Sequence, residues 1–72
     1  MYYVLESATT SEGVAKAVTT KDDFRQAQML YFQVLASMTA NDNVTEGFCT
    51  IIDESGRQLF DYTTRYIKPE EE

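Results

Sequence analysis

Histidine and tryptophan are absent from this chain of 72 residues, and cysteine, proline and glycine are scarce, with one, one and three copies. Without histidine there is no imidazole to act as a general base or a metal ligand. One cysteine cannot form an internal disulfide, and no Cys/His cluster can bind zinc. The glycines match neither G-x-x-x-x-G-K-[ST] nor G-x-G-x-x-G. The sequence therefore predicts no metal, no cofactor, no catalytic residue and no enzyme activity.

Long apolar runs and clusters of basic residues are also missing. The longest apolar run is a few residues, whereas a bilayer-spanning helix needs about 20. Six basic residues are scattered among 12 acidic ones, which gives a net charge of −6. Because phosphate backbones and anionic membranes attract clustered Lys and Arg, we expect no direct binding of nucleic acid and no membrane association. The opening residues lack the basic start of a signal peptide, so a cytoplasmic location is the default expectation.

What the chain does have is an ordinary globular composition, with 43% hydrophobic and 25% charged residues. This favours one small domain, residues 1–68, followed by an acidic C-terminal tail, residues 69–72. A domain this short buries only about 60% of the surface of its unfolded chain. Since disulfides and metals are excluded, oligomerisation is the remaining common way to stabilise such a domain.

The first part of the chain predicts a β-hairpin. Residues 2–7 and 14–20 are rich in aromatic and branched side chains and flank a polar turn that contains Gly13. Pairing them brings together one ion pair and one apolar pair, Glu6 with Lys16 and Val4 with Val18.

The middle of the chain predicts a helix from Asp22 to about Thr39, with Thr20 as its N-cap. Asn41–Asn43 ends it, because asparagine tolerates the left-handed conformation. Apolar residues recur at helical spacing on one stripe: Phe24, Ala27, Tyr31, Val34, Leu35 and Met38.

A second hairpin is predicted from residues 46–53 and 57–67, joined by a three-residue loop with Gly56 at its left-handed position. The predicted pairs are Asp53 with Arg57, Ile51 with Leu59, and Phe48 with Tyr62. The fold class is therefore α+β, with the order β-β-α-β-β: a four-stranded antiparallel sheet with one helix packed on one face.

Four segments resemble short uncharacterised proteins of Gram-positive bacteria and their prophages. They are Met1–Glu6, Ala15–Val18, Leu35–Met38, and Phe48–Ile52 before the Ser55-Gly56 turn. The resemblance covers most of the chain. It implies a similar fold and carries over no activity and no catalytic residue.

The candidate chemical groups have simpler structural interpretations. Cys49 stands in mid-strand without a basic neighbour in sequence, which indicates a small buried side chain rather than a reactive thiol. Asp22 and Asp23 match the positive end of the helix dipole. Asn41–Asn43 lacks the spacing of a calcium loop, because Gly47 is one place late and Ile52 occupies the position of the bidentate acid.

The informative anomaly is an excess of apolar side chains. A single helix covers one sheet face, yet the predicted strands are apolar on both faces. Leu5, Ala15 and Ala17 are expected to lie under the helix, which leaves an aromatic cluster of Phe48, Phe60 and Tyr62 on the other face. Large exposed apolar patches mark interfaces. The candidate interface residues are Phe48, Ile52, Phe60, Tyr62, Met29 and Phe32.

These features predict a non-enzymatic protein-interaction module, which forms a homo-oligomer such as a dimer or binds a partner protein through an apolar sheet face. One variant is a phage-type inhibitor whose acidic surface imitates nucleic acid. The alternative is a small-molecule binding or catalytic domain with a pocket between helix and sheet. The polar groups for that pocket would be Tyr3, Tyr31, Tyr62, Tyr66 and Asp61.

Overall fold

The computed structural model describes residues 1–69. In chain order the elements are β1 (Tyr2–Thr10), β2 (Gly13–Lys21), α1 (Phe24–Ala40), β3 (Glu46–Ile52) and β4 (Gln58–Ile67). The strands form one antiparallel sheet in the order β2-β1-β3-β4, and α1 packs on one of its faces. The predicted α+β fold with the order β-β-α-β-β is confirmed. Of the predicted tail, Glu70–Glu72 lie outside the described residues.

The first hairpin forms with a register one residue away from the predicted one. Its loop has two residues, because Thr10 pairs directly with Gly13, whose φ is +130°. A shift of one residue exchanges the two faces of a strand. The predicted pairs are therefore wrong: Val4 pairs with Thr19, and Glu6 pairs with Ala17, not with Lys16.

This register separates residues that were expected to share a face. Leu5 pairs with Val18 on the side away from α1, while Ala15 and Ala17 point to the side of α1. The prediction that Leu5 lies with these alanines under the helix is wrong. α1 covers their side of the sheet, but both alanines remain exposed.

The helix begins at Phe24, and its N-cap is Asp23, whose carboxylate accepts from the backbone N–H of Arg25 at 3.1 Å. The predicted cap, Thr20, is instead part of β2, which continues to Lys21. The predicted apolar stripe faces the sheet as expected. At the other end the C-cap, Asn41, is extended (φ −92°), so the predicted left-handed stop is wrong.

The core lies between α1 and the two central strands, which come from distant parts of the chain. Cys49 and Ile51 of β3 have no exposed surface. The buried apolar side chains are Val4, Ala27, Tyr31, Met38, Val44, Cys49 and Ile51.

The second hairpin has the predicted turn. The N–H of Asp53 donates to the carbonyl of Arg57 and the N–H of Gly56 to that of Asp53, each at 3.0 Å. Gly56 has a φ of +87°, a conformation that favours glycine. Next to the turn, Ile52 pairs with Gln58, which is the predicted register.

Beyond that pair the register shifts by three residues, because Thr50 pairs with Thr63. The extra β4 residues form a bulge, closed by the Thr63 hydroxyl, which donates to the Leu59 carbonyl at 2.8 Å. Phe48 consequently lies opposite Arg65, and its predicted pairing with Tyr62 is wrong.

Candidate functional site: an uncovered sheet face

The sheet face opposite α1 carries large apolar side chains, and no element within residues 1–69 covers it. The strand registers place these side chains on alternate positions of all four strands. Val14, Val18 and Ile67 are more than half exposed, and the others are half-buried by their neighbours. We call this surface the open face, defined by its large apolar members: Tyr3, Leu5, Val14, Val18, Phe48, Ile52 and Ile67.

The polar groups of the open face mostly satisfy one another. The hydroxyls of Thr50 and Thr63, on neighbouring strands, are hydrogen-bonded at 2.7 Å. Arg65 forms an ion pair with Glu46, with 2.6 Å between Nη2 and Oε1. The strand pairing also places Lys16 on this face, beside the paired Glu46 and Arg65.

This near-neutral face belongs to an acidic chain. The acidic side chains lie mainly in the turns and at the start of the helix. Those outside the strands, within residues 1–69, are Glu12, Asp22, Asp23, Asp42, Asp53 and Glu54. Charge repulsion between two copies is therefore weakest where the open faces meet.

The predicted interface residues fall into separate places. Phe48 and Ile52 lie on the open face. Phe60 is 81% exposed within the β4 bulge. Met29 and Phe32 are more than half exposed on α1, off the apolar stripe.

Tyr62, the sixth predicted residue, packs under the helix. Its ring contacts those of Phe24 and Tyr31, with centroids 5.3 and 5.7 Å away, and its hydroxyl accepts from the Gln28 amide at 2.5 Å. The prediction that Tyr62 shares a face with Phe48 and Phe60 is wrong, because the bulge shifts the register between them.

Val18 is absent from the predicted interface residues, and Leu5 was predicted to lie on the helix side of the sheet. The signal lay in the length of the first turn. A two-residue loop between Thr10 and Gly13 pairs Leu5 with Val18, and this pair then stands beside Thr50 on β3.

Of the four tyrosines proposed for a helix–sheet pocket, Tyr31, Tyr62 and Tyr66 pack against the core beneath the helix and Tyr3 does not. Tyr31 shares a hydrogen bond with the Thr64 hydroxyl, and the Tyr62 hydroxyl is bonded to Gln28. Tyr3 lies on the opposite face of the sheet, and Asp61 is exposed. The predicted set of hydroxyls therefore does not line one cavity.

A groove does exist between α1 and the sheet, on the side of β2. It has a volume of about 410 Å³ and no tyrosine in its lining. We call it the side groove; its lining includes Glu6, Ala8, Ala15, Ala17, Leu30 and Val34, and also one basic residue, Lys16.

Cys49 lies near the side groove but is fully buried. Burial, together with the negative charge of Glu6, raises the pKa of the Cys49 thiol to about 11. At neutral pH the thiol is therefore protonated and a poor nucleophile. Within residues 1–69 no group of three or more acidic or cysteine side chains is arranged to hold a metal ion. In the same part of the chain no helix has the length and apolar character needed to cross a bilayer.

Comparison of the chain with protein-family models, curated proteins and solved structures finds no match.

Proposed function

We propose that this protein is a non-enzymatic protein-interaction module that forms a homodimer by packing the open faces of two copies against each other. The observation that carries this proposal is a four-stranded sheet face that is apolar, nearly neutral and covered by no element of residues 1–69, in an acidic chain. Large exposed apolar patches are uncommon on soluble monomers. Two sheets packed face to face, about 10 Å apart, are a common solution to this exposure.

The size of the open face suits a dimer. Four strands spaced about 4.8 Å apart, each about seven residues long at about 3.4 Å per residue, span a flat footprint of about 450 Å². Two such faces have a combined flat area of about 900 Å². Because the projecting side chains make each surface uneven, the accessible area buried is larger and passes the roughly 1,000 Å² expected of a specific interface. The aromatic ring of Phe48 supplies a large, rigid contact near the middle of β3.

The charges also favour a second copy as the occupant. A basic partner would be drawn to the acidic turns, whereas the open face offers a paired Glu46–Arg65 and one further base, Lys16. Burying mainly apolar surface against an identical surface leaves few charges to desolvate. The free thiol of Cys49 fits a reducing compartment such as the cytoplasm.

The test is the molar mass in solution, measured by sedimentation equilibrium up to high micromolar concentration. We expect the native chain to be a dimer and Val18→Lys, which places a charge on the open face, to be a folded monomer. Met29→Lys is the matched control, because Met29 is 56% exposed on α1, away from the sheet. It should remain a dimer.

Circular dichroism verifies that both variants are folded. A native chain that is strictly monomeric at high micromolar concentration contradicts the proposal. So does a dimer that Met29→Lys dissociates and Val18→Lys does not.

A further inference from the structure

The second surface of interest lies on the helix side of the sheet, where α1 leaves the edge strand β2 uncovered. Ala15 and Ala17 point towards the side of α1 and are nevertheless exposed. The side groove separates them from Leu30 and Val34 of the helix. This surface is distinct from the open face, which lies on the other side of the sheet.

A carboxylate in this groove has no partner in the part of the chain that the structure describes. Glu6 is half-buried and stands between Ala17 of β2 and Cys49 of β3 in the sheet. Within residues 1–69 its side chain forms no ion pair and no hydrogen bond. Because a partly desolvated charge gains free energy from an opposite charge, Glu6 is a natural contact for a cation.

The rim of the groove is a free strand edge. β2 has nine residues, pairs with β1 without an irregularity and contains no proline. Its outer edge pairs with nothing in the described part of the chain. The other edge strand, β4, is interrupted by its bulge. An extended segment of another protein can add to such an edge through backbone hydrogen bonds.

The edge and the carboxylate are within reach of one ligand. A strand added beside β2 lies two strand spacings from β1, about 9.6 Å. Ala17 is the residue between them, and its methyl group leaves the path to Glu6 open. The four-carbon stem of a lysine and the Glu6 side chain together span about this distance.

We infer that the side groove and the β2 edge bind an extended basic segment of a partner protein. The segment pairs with β2 as a fifth strand, its apolar side chains enter the groove beside Leu30, and one lysine or arginine contacts Glu6. The net charge of −6 attracts such a segment from solution.

The probe is a short blocked peptide with valine at alternate positions around one central lysine and threonine between them. Two control peptides replace the lysine by norleucine or methylate alternate backbone nitrogens. Titrations are followed by NMR of the backbone amides. We expect saturable binding that shifts the amides of Glu6, Ala15 and Ala17, weakened about tenfold by norleucine.

The protein variant is Glu6→Gln, which keeps the shape of the side chain and removes its charge. It should bind the lysine and norleucine peptides equally. Glu12→Gln removes the same charge from the exposed turn of the first hairpin and should retain the tenfold preference for lysine. The backbone-methylated peptide should not bind.

The inference is overturned if the lysine peptide shows no saturable binding, or if lysine and norleucine peptides bind the native chain equally. If Glu6→Gln and Glu12→Gln lose the preference for the lysine peptide equally, that preference comes from net charge alone, which also contradicts the inference. Tight binding of the methylated peptide would exclude strand addition. Should Glu6→Gln unfold, the comparison of peptides on the native chain decides the question.

Discussion

The Sδ atom of Met38 lies 2.5 Å from the point where a Cβ atom on Gly47 would stand. The carbonyl oxygen of Ser7, on β1, is 3.3 Å from the same point. A buried methionine of α1 thus occupies the space that any side chain at this β3 position would need. The lack of a side chain at Gly47 therefore allows the C-terminal end of α1 to pack closely against the sheet.

Gly47→Ala should therefore destabilise the fold by about 1–3 kcal/mol, because the added methyl forces Met38 to move. Urea unfolding measures this loss, with the protein at a concentration at which it does not self-associate. Repeating Gly47→Ala in a Met38→Ala background should give a smaller loss, since the obstructing side chain is gone. Equal losses in both backgrounds would mean that contact with Met38 is not the cause of the destabilisation by Gly47→Ala.

The hydroxyl of Tyr31 is a second internal contact with a measurable effect. It shares a hydrogen bond with the Thr64 hydroxyl beneath the helix, and Tyr31 is buried. Tyr31→Phe should lower the free energy of unfolding by about 1 kcal/mol. Tyr3→Phe, on the open face and without a hydrogen bond to its hydroxyl in residues 1–69, should change it by less than about 0.5 kcal/mol. Equal effects of Tyr31→Phe and Tyr3→Phe would contradict a stabilising hydrogen bond between Tyr31 and Thr64.

Cys49 makes stability depend on alkaline pH. The raised pKa of about 11 means that the folded thiol holds its proton where the unfolded thiol, with a pKa of 9.0, loses it. The resulting stabilisation is complete below about pH 9 and is lost as the pH rises through about 11. Relative to Cys49→Ala, the native chain should lose up to about 2–3 kcal/mol over this window. Chemical denaturation at successive pH values measures the difference, and a constant difference would refute the prediction.

Asp53 makes stability depend on acidic pH in the opposite sense. Hydrogen bonds from the Ser55 hydroxyl and from the backbone N–H groups of Arg57 and Ser55 lower the pKa of Asp53. Its stabilisation of the turn is present above the ordinary pKa of about 4 and is lost as the pH falls through the lower folded-state value. Asp53→Ala should lower the melting temperature at neutral pH more than in acid.

Asp61→Ala is the control for Asp53, because Asp61 is exposed and accepts no hydrogen bond in residues 1–69. Its effect on the melting temperature should be small and should not follow the Asp53 pattern. If both variants behave alike, the three hydrogen bonds to Asp53 do not stabilise the turn.

The helix and the second turn were predictable because their signals are local. Tyr31 and Met38 recur on one helical stripe, and Gly56 lies within a turn whose backbone N–H groups are bonded by the side chain of Asp53. Such patterns depend on neighbouring residues alone and survive the assembly of the fold.

The faces of the sheet were harder to predict because they depend on the exact number of residues in each loop and bulge. The register of the first hairpin is one residue away from the predicted one, which places Leu5 on the face away from the helix. The bulge of β4 moved Tyr62 under the helix and left Phe60 exposed. Its closing hydrogen bond, from Thr63 to Leu59, joins ordinary strand-forming residues and has no distinct sequence signal.

The most direct test of the central claim is an isotope-filtered NOE experiment on a mixture of labelled and unlabelled chains. It reports only contacts between two copies. Packing of two open faces predicts intermolecular NOEs among the methyl groups of Leu5, Val18 and Ile52 and the ring of Phe48. Intermolecular NOEs confined to α1 residues such as Met29, or none at concentrations where a dimer should form, would contradict the account.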